Sequence, residues 1–135
     1  MQTFLPYADF MESARCLDYK RLGKQRVEAW QIYQIVSGAR TTGGWINHPA
    51  TKMWRSHPNF LAWYYNAMLD EWEGRGYKNT MKRITAPPST SQPLWFGDKR
   101  LHDSHRSNLL RKNFGFYSQY HWDVEPTLAY YWPET

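Results

Sequence analysis

The stretch Arg21-Leu22-Gly23-Lys24-Gln25-Arg26-Val27-Glu28-Ala29-Trp30-Gln31-Ile32-Tyr33-Gln34-Ile35-Val36 decides the fold. Leu22, Ala29, Tyr33 and Val36 recur at the 3.6-residue period of a helix, and Arg21, Lys24, Glu28 and Gln31 fall on the opposite side. The segment therefore reads as an amphipathic helix. Glu28 lies on its wet face, one turn from Lys24.

Upstream, Asp9 stands three residues before Glu12, a capping-box-like helix start. Helical character runs from there to about residue 37, with a break expected at Gly23, and Gly38 suits the position just past a helix end. Residues 1–8 are short and apolar, and Pro6 disfavours helix at Leu5. Downstream, Pro49 and Pro58 each suit a helix first turn, and the second of these helices is expected to run to about Gly74. A last helix is expected over 98–113, stopped near Gly115, followed by an aromatic tail over 116–132. Strand signals are weak throughout, and the Pro/Ser-rich stretch 86–93 reads as a loop. The expectation is an all-α, single-domain bundle of three main helices over 1–135, with an extended N-terminus and an aromatic C-terminal tail.

Composition narrows the function classes. Aromatic residues make up 18% of the 135-residue chain, including eight Trp and ten Tyr, which argues against disorder and supplies surface for stacking on flat partners. The formal charge of +5 favours an anionic partner, nucleic acid first. One cysteine, Cys16, excludes a disulfide framework within the chain and a cysteine-rich zinc site, and fits a reducing cytoplasm. No secretory leader or membrane span is legible.

Four groups of residues bear on chemistry. Two basic helices, 15–28 and 99–112, either grip phosphates or are solvated faces. Glu28 is either a surface ion-pair partner or a carboxylate in a cationic groove, able to act as general acid or base. Gly43-Gly44-Trp45-Ile46-Asn47-His48-Pro49 is a tight turn whose Asn47 or His48 can cap the next helix, or whose Trp45, Asn47 and His48 reach DNA at a helix start. His102, Asp103 and His105 could form a metal pair lacking an obvious third ligand, with phosphate or base contacts by His105 and Arg106 the favoured alternative.

The run Arg26-Val27-Glu28-Ala29, then Gln34, Gly38 and Gly44-Trp45-Ile46-Asn47-His48-Pro49, resembles the pyrimidine-dimer DNA glycosylase family of endonuclease V type. Arg75-Gly76-Tyr77 resembles the end of that family's next helix. Ser104-His105-Arg106-Ser107-Asn108-Leu109-Leu110-Arg111-Lys112 resembles its basic last helix, and the aromatic tail its Tyr/Trp-rich C-terminus. The resemblance implies an all-helical fold whose N-terminus lies near the first long helix.

It also implies that the nucleophile is the chain's own α-amine; such amines titrate near ~7.7–8, far below lysine side chains. Well-known members begin Met-Thr and lose the Met; this chain begins Met-Gln, so the amine is expected on Met1. Alignment of the bacterial type carries the partner carboxylate to Glu28, although Val27 separates it from Arg26 and some phage members place their Glu nearer the position of Arg21.

The DNA contacts expected on this reading are Gln2, Arg21, Lys24, Gln25, Arg26, Trp45, Asn47, His48, Lys52, His105, Arg106, Arg111 and Lys112. The expected activity is excision of a damaged or modified pyrimidine from double-stranded DNA with coupled strand nicking, by a monomer that needs no cofactor or metal. The cytoplasm of a bacterium or a phage-infected cell is the expected setting. The competing readings are a non-catalytic DNA-binding module and a metal-dependent nuclease built on His102, Asp103 and His105.

Overall fold

The computed structural model describes residues 1–133. Six α-helices follow one another: α1 (Phe10–Cys16), α2 (Tyr19–Val36), α3 (Pro49–Trp54), α4 (Pro58–Gly74), α5 (Lys99–Lys112) and α6 (Phe114–Tyr117), then a single 3-10 turn (Ser118–Tyr120). No strand occurs among the described residues. The all-α expectation holds. Three helices are long, as expected, but three short ones accompany them.

The helix boundaries follow local chemistry. The Asp9 carboxylate accepts from the Glu12 N–H, Pro49 and Pro58 open α3 and α4, and the Asp98 side chain caps α5. Gly38 takes φ +86°, just beyond the Ser37 cap of α2. Asn113, not Gly115, ends α5; its side chain accepts from the Phe116 N–H and starts α6, which contains Gly115.

The expected break at Gly23 is also corrected. The chain breaks at Leu17 and Asp18, both extended, while α2 runs unbroken through Gly23. There a Cβ would lie 3.2 Å from the Trp72 ring, so the glycine lets α4 approach α2. Arg75 closes the break by donating to the Arg15 and Leu17 carbonyls and to that of Ala14, which also accepts the capping N–H of Leu17.

Helices α2 and α4 form the most extensive pair, with α1 also against α4. Leu22, Gln25, Ala29 and Ile32 are the buried stripe of α2; Tyr33 and Val36 are only partly covered.

The N-terminal segment runs through the interior, with residues 2–6 all buried. An extended segment outside any sheet must find partners for its N–H and C=O groups elsewhere, because an unpaired buried one costs ~1–3 kcal/mol. Side chains supply them here. The Phe4 N–H donates to Gln25 Oε1 at 3.0 Å, and the Gln2 carbonyl accepts from Gln25 Nε2 at 2.9 Å. The Leu5 N–H donates to His105 Nδ1 at 2.8 Å, and the Leu5 carbonyl lies 2.7 Å from His102 Nδ1. The Thr3 hydroxyl accepts from the Trp54 indole at 3.0 Å.

Two further irregular segments are held in the same way. Side chains of α4 (Trp63, Tyr65, Asn66 and Trp72) bond the backbone of residues 78–87. Side chains of α5 (Ser104, Ser107, Asn108 and Arg111) bond the backbone of residues 125–131. This second strap brings Tyr130 back to the N-terminus.

Candidate active site

A cleft of about 550 Å³ opens where the N-terminal segment meets α2, the end of α5 and the tail. It is lined by Met1, Gln2, Phe4, Lys20, Arg21, Lys24, Gln25, Glu28, Lys112 and Tyr130. The lining holds the cations Lys20, Arg21, Lys24 and Lys112 and a single carboxylate, Glu28; Arg21 also pairs with Asp18 at 3.1 Å. Lys20, Lys24 and Glu28 are spaced by four residues and so stand one above another on α2. A negatively charged polymer is attracted to such a wall, and Glu28 is the one acceptor-only group in it.

Glu28 is fixed by Gln25, whose Nε2 donates to Glu28 Oε2 at 3.0 Å while also donating to the Gln2 carbonyl. On the other side of the same amide, Oε1 accepts from the Phe4 N–H and the Tyr64 hydroxyl. Gln25 is fully buried and all its hydrogen-bonding capacity is used, so the amide cannot rotate. One residue thus ties the first residues of the chain to the carboxylate.

The Met1 side of the cleft also feels His48. The imidazole caps α3 by accepting from the Ala50 N–H at 3.0 Å, and burial lowers its pKa. Charge at the start of the chain adds to that lowering. Trp45 and Trp132 pack edge-on against His48.

The structure brings together Met1, Gln2, Arg21, Lys24, Gln25, Glu28 and Lys112 of the residues expected from sequence, but not the others. His105 is corrected outright. It is fully buried, its Nδ1 is spent on Leu5, and desolvation depresses its pKa to about 3, so it is neutral and holds the N-terminal segment. Gln25 is corrected likewise, from a surface contact to the buried clamp described above.

Arg26 turns away from the cleft. Its guanidinium lies 3.9 Å above the Trp72 ring and bonds Asn79, and burial lowers its pKa. Arg106 bonds the Pro6 carbonyl and sits over Tyr7 and Trp122, and Arg111 straps the tail. Trp45, Asn47 and Lys52 are exposed, but none of them lines the cleft.

The metal alternative fails on donor geometry. His102 Nε2 accepts from the Gly97 N–H and its Nδ1 meets the Leu5 carbonyl, so both ring nitrogens are occupied. Asp103 pairs with Lys99 at the surface. No group of three metal-binding side chains exists among the described residues.

Sequence reading missed three lining residues. Lys20 was recoverable from its four-residue spacing to Lys24 and Glu28. Phe4 and Tyr130 were not, because only the long-range straps bring them to the cleft.

A family model described as pyrimidine dimer DNA glycosylase matches residues 1–85. The chain belongs to that family. The matched span contains the whole N-terminal segment, α1 through α4 and Glu28, whereas Lys112 and Tyr130 lie beyond it. Membership carries glycosylase activity, with DNA bearing damaged pyrimidines as the substrate class. No curated protein and no solved structure gives a significant match. The glycosylase has no helix among its described residues long and apolar enough to cross a membrane.

Proposed function

We propose that the chain removes a damaged or modified pyrimidine from double-stranded DNA and then nicks the strand, with the Met1 amine as nucleophile and Glu28 as the acid–base group. The observation that carries this reading is that Met1 and Glu28 line one cleft whose other charged side chains are all cations. The two are joined through the Gln25 amide, which bonds the residue after Met1 as well as the carboxylate.

The chemistry balances without a cofactor. The neutral amine forms a bond to C1′ as the C1′–base bond breaks. The base leaves with that electron pair and gains a proton. Loss of the amine proton and opening of the sugar ring give a protonated Schiff base at C1′. Glu28 stabilises the cationic sugar and then takes a C2′ proton, the 3′ phosphate departs, and water releases the amine. Lys20, Arg21, Lys24 and Lys112 hold the flanking phosphates while the nucleotide is drawn out of the stack. In this reading residues 1–135 work as one monomeric domain.

Borohydride reduction during reaction with lesion-bearing duplex tests this directly. A protein–DNA adduct attached at Met1, formed equally well in EDTA, is the expected result. Failure to trap an adduct with a free N-terminus would remove the amine mechanism and leave a DNA-binding role for the cleft.

A further inference from the structure

A departing base needs a proton, and Glu28 is in no position to supply it, because the same carboxylate must be negative beside the cationic sugar. The four cations of the wall are engaged with phosphates. Of the other residues lining the cleft, Phe4 has no transferable proton, Gln2 and Gln25 are amides, and Met1 provides the nucleophile. Tyr130 is left. It lies beyond the span that the family model matches, so membership of the family assigns it no part.

The fold delivers this phenol to the cleft and holds it there. On one side of it the Leu128 carbonyl accepts from Asn108 Nδ2 and Arg111, and on the other the Tyr131 N–H donates to Ser104 Oγ at 3.1 Å, all three partners being on α5. The Tyr130 ring stands edge-on to His105, with centroids 5.9 Å apart. His105 also accepts the Leu5 N–H, so one side chain of α5 seats both the segment that carries the nucleophile and the phenol. Gln2 Oε1 accepts from the Thr3 N–H at 2.8 Å, which turns the nitrogen end of that amide to the Tyr130 oxygen. Gln2 therefore takes no proton from the phenol, and Glu28 acts on it by charge, not as a hydrogen-bond acceptor. Burial raises the phenol's pKa above its ordinary 10, so the proton is in place at neutral pH. Arg111, Gln2 and Arg21 act in the opposite direction and so favour the phenolate once it forms.

We propose that Tyr130 is the general acid that protonates the departing base. This deepens the proposed function and rests on it, because the base must leave the cleft that holds Met1 and Glu28. As the C1′–N1 bond breaks, its electron pair goes to the base, and the phenol O–H breaks as a new O–H bond forms on the C2 carbonyl oxygen. The amine nitrogen, now bonded to C1′ and carrying a surplus proton, returns one proton to the phenolate through water. Tyr130 thus ends as it began. In a pyrimidine saturated across C5–C6, as in a cyclobutane dimer, the ring conjugation that would spread the charge left on N1 is lost, so proton delivery matters most there.

The test separates base release from strand cleavage under single-turnover conditions. Tyr130→Phe is expected to slow base release from a duplex with a thymine–thymine cyclobutane dimer by ~10²-fold, the low end for a positioned acid, while cleavage and borohydride trapping on a preformed abasic site, which has no base to expel, stay within ~3-fold of the wild type. Tyr130→difluorotyrosine, whose phenol is more acidic, is expected to move the high-pH limb of base release to lower pH and to leave the abasic-site profile where it was. Equal slowing of both reactions by Tyr130→Phe would make the residue a structural part of the strap and overturn the proposal, as would unchanged base release or an unmoved high-pH limb. Failure of the wild type to form an adduct even on the abasic site removes the amine mechanism and this proposal together.

Discussion

Gln25 Nε2 lies 3.0 Å from Glu28 Oε2, and this one hydrogen bond joins the interior of the fold to the chemistry of the cleft. Glu28 is three residues further along α2, so the helix itself sets the spacing. The carboxylate is thereby held in one orientation, next to a segment that would otherwise be free to move. Preorganised groups of this kind act without having to reorganise as the reaction proceeds.

Glu28→Gln keeps the shape and the Gln25 hydrogen bond but removes the charge. Turnover is expected to fall by ~10²–10⁴-fold, the usual worth of a positioned acid–base group. Affinity for lesion-bearing duplex, read by fluorescence anisotropy, is expected to hold or improve slightly because a negative charge leaves the wall. Unchanged turnover would transfer the acid–base role to another group.

Gln25→Leu tests the clamp. The substitution leaves the Phe4 N–H and the Gln2 carbonyl short of a partner inside the protein, whereas the Tyr64 hydroxyl keeps the Phe4 carbonyl. At ~1–3 kcal/mol for each unpaired buried group, a loss of at least ~2 kcal/mol is expected in urea denaturation. A loss below ~1 kcal/mol would show that the N-terminal segment is anchored elsewhere.

The histidines on α5 make the anchoring depend on pH. The ordinary histidine pKa is 6.5, and burial against Leu5, Phe4 and Tyr130 brings that of His105 to about 3; the nearby His102 is lowered as well, chiefly by its own burial. Between those two pH values the unfolded chain binds a proton that the folded chain refuses. Stability is therefore complete above ~6.5 and falls as the pH drops through that window, by up to ~1.4 kcal/mol per pH unit for one such proton. Urea midpoints at pH 5, 6 and 7 should show the decline, and His105→Asn should flatten it. A midpoint independent of pH over that range would contradict the burial of a neutral ring at position 105.

Removing single cations should weaken DNA binding in a way that salt reveals. Lys24→Ala and Lys112→Ala each remove one phosphate partner, so the slope of log K against log salt should become shallower by ~0.9 for each phosphate no longer neutralised. Slopes identical to that of the wild type would place the DNA away from this cleft.

What the sequence disclosed and what it hid divide along the range of the interactions. Asp9, Pro49, Pro58, Asp98 and Gly38 act within a turn or two of themselves, so the ends of α1, α3, α4, α5 and α2 were legible. Glu28 and Lys24 were legible as a polar face because helix geometry alone puts them there. His105 resembled a surface ligand because its partner is Leu5, 100 residues away. Gln25 looked like one more polar residue on a basic helix, yet its acceptors and donors sit on residues 2, 4 and 64. An extended N-terminus buried without a sheet needs such partners, and nothing local announces them.

Gly23 offers the sharpest case of a long-range reason for a local choice. In an isolated helix, Gly→Ala gains ~1 kcal/mol from backbone entropy, so local reasoning expects Gly23→Ala to stabilise α2. The added Cβ would stand 3.2 Å from Trp72, and that ring is poorly placed to yield. Its indole N–H is bonded to the Lys78 carbonyl at 2.9 Å, Tyr19 stacks on it, and the Arg26 guanidinium lies 3.9 Å from its centre. Gly23→Ala is therefore expected to destabilise the chain by ~1–2 kcal/mol, with the overpacking cost exceeding the helix gain. Trp72→Phe in the same background should recover part of the loss by shortening the ring that meets the methyl group. Thermal denaturation of the single and double variants measures both effects; a stabilised Gly23→Ala protein would mean that α4 can slide away from α2 at little cost.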